Sequence, residues 1–211
     1  MTANPPTPCG PAAAQLAQKL RDKFGDLFSA PAEFRGEITL QLADADRIAE
    51  ICTFAKHDLG FDFLVDITSI DNYGEDPRWT LVYHLYGLAH NQYLRIKTSV
   101  TEEKSDLPTV VPVWRSANWH EREIYDMMGI RFRGHPDLRR VLMWEGYPFY
   151  PLSKDFPLAG KPTNLPEIAF SNAAPLEGGP FVTVPGVCDA GSREPRSRLP
   201  ETDPKQGGAN G

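Results

Sequence analysis

The C-terminal quarter of the chain limits how much of it can form a packed domain. Residues 157–211 contain nine Pro and eight Gly in 55 positions and show no apolar period of 2 or 3.6. Such a segment buries too little apolar surface to offset the entropy lost on ordering, so it does not fold alone. The sequence therefore predicts one domain at 12–156, preceded by a mobile Pro-rich N-terminus at 1–11.

The first half of the C-terminal segment carries six large apolar residues spaced along it. These are Leu165, Ile168, Phe170, Phe181, Val182 and Val184. A Pro-restricted chain with apolar anchors suits docking across another protein. We therefore predict that residues 157–190 form an extended segment that wraps a partner, and that residues 191–211 are disordered. A tail that is disordered throughout is the alternative.

Apolar periodicity predicts three helices in the domain. Steps of three and four residues indicate helices at 12–28, 45–60 and 116–128. Asp44 can cap the second helix, and Gly129 ends the third. Cys52 falls within the apolar pattern of the second helix, so we expect it to be a core residue.

Four strands complete the predicted domain. Alternating or β-branched residues indicate strands at 38–42, 61–70, 78–87 and 92–100, the last two forming a hairpin. The order of elements predicts the α+β class. We expect a mainly antiparallel sheet packed by helices, with a long extended C-terminal tail.

Charge and cysteine usage narrow the class of protein. A formal net charge of −6 disfavours a general nucleic-acid binder, which needs a basic field to displace counterions from phosphate. Cys9, Cys52 and Cys188 are too far apart for a Cys-x-x-Cys pair, and unpaired thiols suit a reducing compartment. The longest uncharged run, 79–94, has 16 residues, fewer than the roughly 20 apolar residues of a membrane span. We therefore predict the cytoplasmic side and membrane association through partners only.

The third helix combines charged and apolar residues. Helical spacing predicts one side formed by Trp119, Arg122, Glu123 and Asp126, and another formed by His120, Ile124, Met127 and Met128. Arg122 and Asp126 are four residues apart and can pair. Buried against a partner, such charges would fix orientation and register. A solvated helix face is the alternative for the charges, and core packing is the alternative for the methionines.

Basic residues cluster around this helix. Residues 115–155 contain seven Lys or Arg and six Asp or Glu, so they carry +1 while the rest of the chain carries −7. Arg next to aromatic side chains is typical of interface hot spots. Glu123 and Asp126 could instead act as an acid/base pair of a hydrolase, although no sugar-binding cleft is indicated. His135 lacks a second His or Cys at metal-ligand spacing, so a turn or interface role is favoured.

The stretch 121–157 resembles the signature of the 30 kDa subunit family of respiratory complex I, the C-type subunits of bacterial NADH–quinone oxidoreductase. The matching positions are Glu121, Arg122, Glu123, Asp126, Met127, Met128, Gly129, His135 and Arg139. The runs 134–140 and 154–157 also match the family. One position departs, because Ser153 stands where the family usually has Arg, and a role of that arginine cannot be transferred to it.

The resemblance implies a non-catalytic subunit of the peripheral arm of a proton-pumping NADH–quinone oxidoreductase. That complex passes electrons from NADH through FMN and Fe–S clusters to quinone, and the resemblance places these cofactors in partner subunits. It implies contacts with the quinone-binding subunit and with an iron–sulfur subunit, with the C-terminal segment wrapped around the quinone-binding one. It also implies a peripheral position on the cytoplasmic face of the inner membrane. An equivalent subunit of a membrane-bound hydrogenase or of a ferredoxin- or F420-fed relative is the alternative.

The sequence contains no dinucleotide-binding, Walker or clustered-cysteine motif, so we expect no cofactor, catalytic residue or metal ligand in this chain. Ten residues are predicted to contact partners or to form the framework of the signature. They are Glu121, Arg122, Glu123, Asp126, Gly129, His135, Arg139, Arg140, Lys154 and Asp155.

Overall fold

The structure, a computed structural model, describes residues 11–35 and 37–157. Its named helices and strands lie in one unit, Met1–Lys154. A second unit, Asp155–Gly211, is described only as far as Pro157. The predicted N-terminal segment, wrapping segment and disordered tail therefore lie almost entirely outside the described residues and stay predictions.

Three α-helices and seven strands are present in the described ranges. The helices are α1 Pro11–Phe24, α2 Ile48–His57 and α3 Ala117–Met128. The strands are β1 Ala32–Phe34, β2 Glu37–Leu42, β3 Phe63–Asp71, β4 Trp79–Gly87, β5 Gln92–Val100, β6 Asp106–Pro108 and β7 Arg131–Arg133.

The main sheet has the strand order β1-β2-β5-β4-β3. The β2–β5 pair is parallel, whereas the other three pairs are antiparallel. A second sheet consists of β6 and β7 in parallel. The predicted α+β class with a mainly antiparallel sheet is confirmed.

Several features of the secondary structure differ from the prediction. The second helix, predicted at 45–60, spans only Ile48–His57 after a 3-10 turn. The first helix ends at Phe24 rather than Phe28, because Gly25 takes a φ of +55° and the next residues form a 3-10 turn. A left-handed residue cannot continue a right-handed helix. The strands β1, β6 and β7 were not predicted, since three residues are too few to show an alternating pattern.

The core lies on the inner face of the main sheet. Alternate residues of β2, including Ile38 and Leu40, pack with Leu20 of α1 and Ile51 of α2 in one apolar cluster. Asp44 accepts a hydrogen bond from the backbone N–H of Asp46, as expected of a capping residue, although a 3-10 turn precedes α2. Cys52 is buried and free, which confirms its prediction as a core residue.

Helix α3 ends where the sequence predicts. Gly129 takes a φ of +83° and donates its N–H to the carbonyl of Tyr125 at 3.0 Å, a left-handed C-cap. A Cβ at this position would lie 2.8 Å from the Tyr150 ring, so both the backbone and the packing favour Gly. The cap turns the chain into β7 and towards the loop that follows.

The predicted division of α3 into two sides is wrong. Trp119 and Glu123 are exposed, whereas Arg122 and Asp126, predicted on the same side, are buried. The buried positions are Ala117, Glu121, Arg122, Ile124, Asp126 and Met127. Hydropathy misassigns this helix because three of its charged side chains lie inside the domain.

Candidate interaction site at the third helix

Asp126 organises the loop that follows β7. Its Oδ2 atom accepts hydrogen bonds from the backbone N–H groups of Val141, Leu142 and Met143 at 3.0, 2.7 and 2.8 Å. Its Oδ1 atom accepts a hydrogen bond from Nη1 of Arg140 at 2.5 Å, and the side chain is fully buried. Burial raises the pKa of Asp126, but the hydrogen bonds outweigh it and the net pKa is lowered. The carboxylate is thus charged, and its hydrogen bonds fix the backbone of the loop.

Arg140 connects the same loop to the segment that follows. Its Nη1 atom also donates to the Asp126 carbonyl at 3.0 Å, and Nη2 donates to the carbonyls of Tyr147 and Phe149 at 2.6 and 3.1 Å. The guanidinium carbon lies 5.3 Å from the centre of the Tyr150 ring. The planar fork of Arg supplies these donors in one orientation, which Lys cannot do. Arg140 is therefore a framework residue of the domain.

Arg122 fastens the start of the loop to α3. Its Nε and Nη2 atoms donate to the carbonyls of Arg139 and Arg140 at 3.1 and 3.2 Å. Its guanidinium carbon lies 5.0 Å from the centre of the Trp119 ring. The predicted Arg122–Asp126 pair is wrong, because each side chain reaches across to the loop instead of along the helix.

Glu121 is a residue of α3 whose carboxyl group points into the domain and is buried. It accepts hydrogen bonds from the Thr109 hydroxyl at 2.5 Å and from the Val110 N–H at 2.7 Å, and none of it is exposed. Burial raises its pKa to about 7, although the two hydrogen bonds lower it in part. Glu121 thereby ties α3 to the chain that follows β6.

His135 lies against Glu121. Its Nε2 atom is 3.9 Å from Oε2 of Glu121, beyond hydrogen-bond distance, and both side chains are covered. Its Nδ1 atom accepts a hydrogen bond from the N–H of Asp137 at 3.0 Å, which closes the turn predicted here. Burial lowers the pKa of His135, so the neutral imidazole is favoured.

A second buried ion pair, which the sequence does not identify, holds the end of the domain. Arg78 forms a two-point contact with Asp71, with Nε–Oδ1 and Nη2–Oδ2 distances of 2.9 and 3.1 Å. Asp71 also accepts a hydrogen bond from the N–H of Lys154 at 2.8 Å. Arg78 donates to Ser153 Oγ at 3.2 Å, so the residue that departs from the family signature contacts this pair. The only sequence signal was an acidic and a basic residue flanking the β3–β4 turn, a pattern common in exposed turns.

The ten predicted signature residues thus fall into two main groups, those inside the domain and those exposed at its surface. Four are charged side chains used inside the domain, namely Glu121, Arg122, Asp126 and Arg140. Gly129 is the cap, and His135 lies against Glu121. Four are exposed, namely Glu123, Arg139, Lys154 and Asp155, the last in the second unit. Lys154 is held through its backbone N–H.

The buried framework presents an exposed set of side chains around α3. We call Trp119, Glu123, Arg139 and Leu142 the α3 surface. Trp119 and Leu142 are each 62% exposed, and the Arg139 side chain is 65% exposed while it pairs with Asp137 at 2.8 Å. Large exposed apolar groups beside an arginine are typical of protein interfaces.

The geometry does not fit the hydrolase hypothesis. Asp126 is fully buried and accepts hydrogen bonds at both oxygens, so it cannot exchange protons with a substrate. Glu123, three residues earlier on α3, is exposed, whereas Asp126 is not. In the described ranges, no group of three His, Cys, Asp or Glu side chains is arranged to hold a metal ion. The buried hydrogen bonds instead fix the backbone that carries the exposed side chains of the α3 surface.

Comparison with known proteins decides the family. Residues 42–162 match the family model described as respiratory-chain NADH dehydrogenase, 30 kDa subunit, which is more than half of the 211 residues. The chain belongs to this family. The predicted membership of the complex I 30 kDa subunit family is confirmed, and this family supplies subunits of an electron-transport enzyme complex.

Individual relatives agree with the family assignment. The C-type subunit of NADH-quinone oxidoreductase from Geotalea uraniireducens is 46% identical over 142 residues, covering 67% of this chain and 86% of that protein. The second C-type subunit of NADH-quinone oxidoreductase from Rhizobium meliloti is 55% identical over 117 residues, covering 54% of this chain and 64% of that protein.

Two solved structures share the fold of this 30 kDa family member. A trypsin-resistant fragment of Nqo5 matches with a TM-score of 0.53 and 32% identity, covering 60% of this chain and 99% of that one. A chain of an archaeal membrane-bound sulfane sulfur reductase matches with a TM-score of 0.59, covering 69% and 85%. Its identity of 22% shows the fold alone. Among the helices of the described ranges, none combines the length and apolar character of a membrane span.

Proposed function

We propose that this chain is a non-catalytic structural subunit of the peripheral arm of a proton-pumping NADH–quinone oxidoreductase. One observation carries the proposal. The buried signature charges Arg122, Asp126 and Arg140 form hydrogen bonds that fix the loop at 139–143. The side chains of the α3 surface remain exposed. Rigid presentation of exposed Trp, Leu and Arg side chains is what assembly on another subunit requires.

The partners we propose are the quinone-binding subunit and the iron–sulfur subunit of the peripheral arm. FMN and the Fe–S clusters would reside in partner subunits, and electrons from NADH would pass to quinone without residing on this chain. The carboxylates of the signature support this division, because Asp126 and Glu121 are already occupied by internal hydrogen bonds. Membrane association would arise through the complex, on the cytoplasmic face of the inner membrane.

The second candidate function is the same structural role in a related complex that uses a different electron donor. The fold match to a chain of a membrane-bound sulfane sulfur reductase favours it as the second candidate. This chain would then serve a membrane-bound hydrogenase or a ferredoxin- or F420-fed relative. Oxidation of NADH by the purified complex separates the two, because only the first candidate uses NADH as its donor.

Charge reversal at the exposed signature arginine tests the scaffold proposal. Arg139→Glu in the full chain should lower the amount of assembled complex on native gels, while the melting temperature of the isolated chain changes little. The exposed Lys19→Glu on α1 is the control for charge alone. Normal assembly of the Arg139→Glu variant would show that the α3 surface is not the contact. Truncation after Asp155 tests the wrapping segment separately, through pull-down of the quinone-binding subunit.

A further inference from the structure

The carboxyl group of Glu121 and the imidazole ring of His135 face each other inside the domain. Both side chains are fully covered, and Oε2 of Glu121 lies 3.9 Å from Nε2 of His135. This ring nitrogen has no hydrogen-bond partner among the described residues. Buried polar atoms in folded proteins are nearly always hydrogen-bonded, so the gap between the two side chains requires an explanation.

The hydrogen bond at the other ring nitrogen fixes the position of the imidazole proton. Nδ1 of His135 accepts the backbone N–H of Asp137 at 3.0 Å, so this nitrogen carries a lone pair. The proton of the neutral ring is therefore on Nε2, the nitrogen close to Glu121. Charging the ring would place a second proton on Nδ1 and break the hydrogen bond from Asp137. The ring is thus a neutral donor, in agreement with the pKa of His135, which burial lowers.

Glu121 is the residue of this cluster whose charge can change near neutral pH. Burial raises its pKa to about 7. Cys52 of α2 and Tyr83 of β4 lie within electrostatic reach of Glu121, and burial raises the pKa of both groups. The thiol and the phenol therefore stay neutral where the carboxyl group titrates.

His135 has further neighbours that influence its ring. The positive charge of Arg122 lowers the pKa of His135, and Asp137 raises it. The backbone carbonyl of Asn118 also attracts the ring proton, but too weakly to satisfy Nε2. A backbone carbonyl is an acceptor of constant strength, whereas the strength of Glu121 as an acceptor depends on its proton.

We propose that Glu121 and His135 form a pH-sensitive latch, in which loss of the Glu121 proton draws Nε2–H of His135 onto the carboxylate. A carboxylate is a much stronger acceptor than a carboxyl group, and burial strengthens the attraction further. A movement of about 1 Å brings the two atoms within hydrogen-bond distance. The proton lost from Glu121 passes to solvent, while His135 keeps its own proton.

The latch is connected to an exposed side chain. Asp137, whose N–H is bonded to His135, also pairs through its carboxylate with Nε of Arg139 at 2.8 Å. The contacts therefore run from the buried carboxyl group to an arginine of the α3 surface. Movement of the ring towards α3 should shift the turn at 135–138 and reposition Arg139. The latch belongs to the folded domain and does not depend on the proposed function.

Nuclear magnetic resonance of the full chain, with 15N-labelled His and 13C-labelled Glu carboxyl groups, tests the latch. From about pH 5.5 to 8.5 the His135 ring should stay neutral with its proton on Nε2. The Nε2 signal should shift with the same midpoint as the carboxyl signal of Glu121. Solvent exchange of the Asp137 N–H, relative to Glu121→Gln at each pH, should slow by about fivefold between pH 6 and 8. A proton on Nδ1 at neutral pH, or an Nε2 signal that does not follow Glu121, would overturn the proposal.

Two variants separate the latch from the structural role of each residue. Glu121→Gln has no proton to lose, so the shared pH response of the His135 signal should disappear. His135→Asn retains an oxygen that can accept the Asp137 N–H but is too short to reach Glu121. The turn should then persist, while the midpoint of Glu121 moves to higher pH because the carboxylate lacks its donor.

His57, the last residue of α2, is the internal control, and its signals should be the same in wild type and both variants. A thermal scan of the full chain identifies any folding defect. Should Glu121→Gln unfold, the comparison of wild type with His135→Asn decides the matter. An unchanged Glu121 midpoint in His135→Asn would refute the contact between the two side chains.

Discussion

Nη1 of Arg140 lies 2.5 Å from Oδ1 of Asp126, and both side chains are nearly or fully buried. The remaining Asp126 oxygen accepts three successive backbone N–H groups of the loop. One carboxylate thus neutralises a guanidinium and satisfies backbone donors that would otherwise lack partners. The loop shape depends on a charge pair that points into the domain.

Neutralising Asp126 should destabilise the domain. Asp126→Asn retains the size of the side chain but leaves the Arg140 charge unpaired and replaces an acceptor with a donor that faces backbone N–H groups. We expect a loss of about 3 kcal/mol in the free energy of unfolding, measured by urea denaturation. The exposed Glu123→Gln on the same helix should change it by less than about 0.5 kcal/mol. Equal effects of the two variants would contradict the assignment of Asp126 as the loop anchor.

Arg139 and Arg140 should respond differently to the same substitution. Arg140→Lys removes the fork that reaches Asp126, Tyr147 and Phe149, so the melting temperature should fall. Arg139→Lys retains the charge of a side chain that is 65% exposed, so the melting temperature should stay within about 1 °C. A thermal scan of both variants suffices. Comparable losses would mean that Arg140 is not the framework residue of the pair.

Glu121 should give the stability a distinctive pH dependence. Its pKa rises from 4.5 to about 7 on folding, so the folded state holds more protons than the unfolded state between these values. The free energy of unfolding contributed by Glu121 therefore falls as pH rises through this window, by on the order of 3 kcal/mol. His135, whose pKa is lowered from 6.5, acts in the opposite direction, because folded His135 disfavours protonation as pH falls.

The Glu121→Gln variant isolates this contribution. Gln resembles the protonated carboxyl group, so wild type and variant should have similar stability near pH 5. Near pH 8 the variant should be relatively more stable, because wild type then carries a buried charge. Urea denaturation at both pH values measures the difference. A difference that does not change with pH would show that Glu121 keeps an ordinary pKa.

Alanine substitutions at two glycines with nearly equal φ values should distinguish the cost of backbone strain from the cost of a packing clash. Gly129 has a φ of +83° and a Cβ there would lie 2.8 Å from Tyr150, whereas Gly74 has a φ of +85° and open space around it. Gly74→Ala should cost about 1 kcal/mol through strain alone. Gly129→Ala should cost more, and Tyr150→Ala should relieve part of that excess in the double variant. Equal costs of the two single variants in urea denaturation would exclude the Tyr150 contact.

Local patterns predicted the regular elements well. Strand β5 was predicted at 92–100, as observed, because nine residues of strict alternation leave little ambiguity. Gly129 was predicted as the end of α3 because Gly tolerates the left-handed conformation that a C-cap needs. The parallel β2–β5 pair and the β6–β7 sheet were not predicted, since pairing between distant strands leaves no local signal.

The signature residues were recognised from sequence as a family pattern, but which of their side chains lie inside the domain was not. Glu121, Asp126 and Arg140 belong to a pattern that identifies the family, and the pattern does not say which way a charge points. Hydropathy assigns charged residues to the surface, whereas here a buried carboxylate is stabilised by backbone N–H groups from residues 15 to 17 positions away. Asp71 and Arg78 were missed for the same reason.

The sequence by itself determined the helices, the longer strands and the family, because these follow from the periodicity and identity of neighbouring residues. Only the tertiary structure decided that Asp126 and Arg140 face inward while Glu123 and Arg139 face outward. The physical reason is that the cost of a buried charge depends on the partners that folding brings to it. Those partners come from distant parts of the chain.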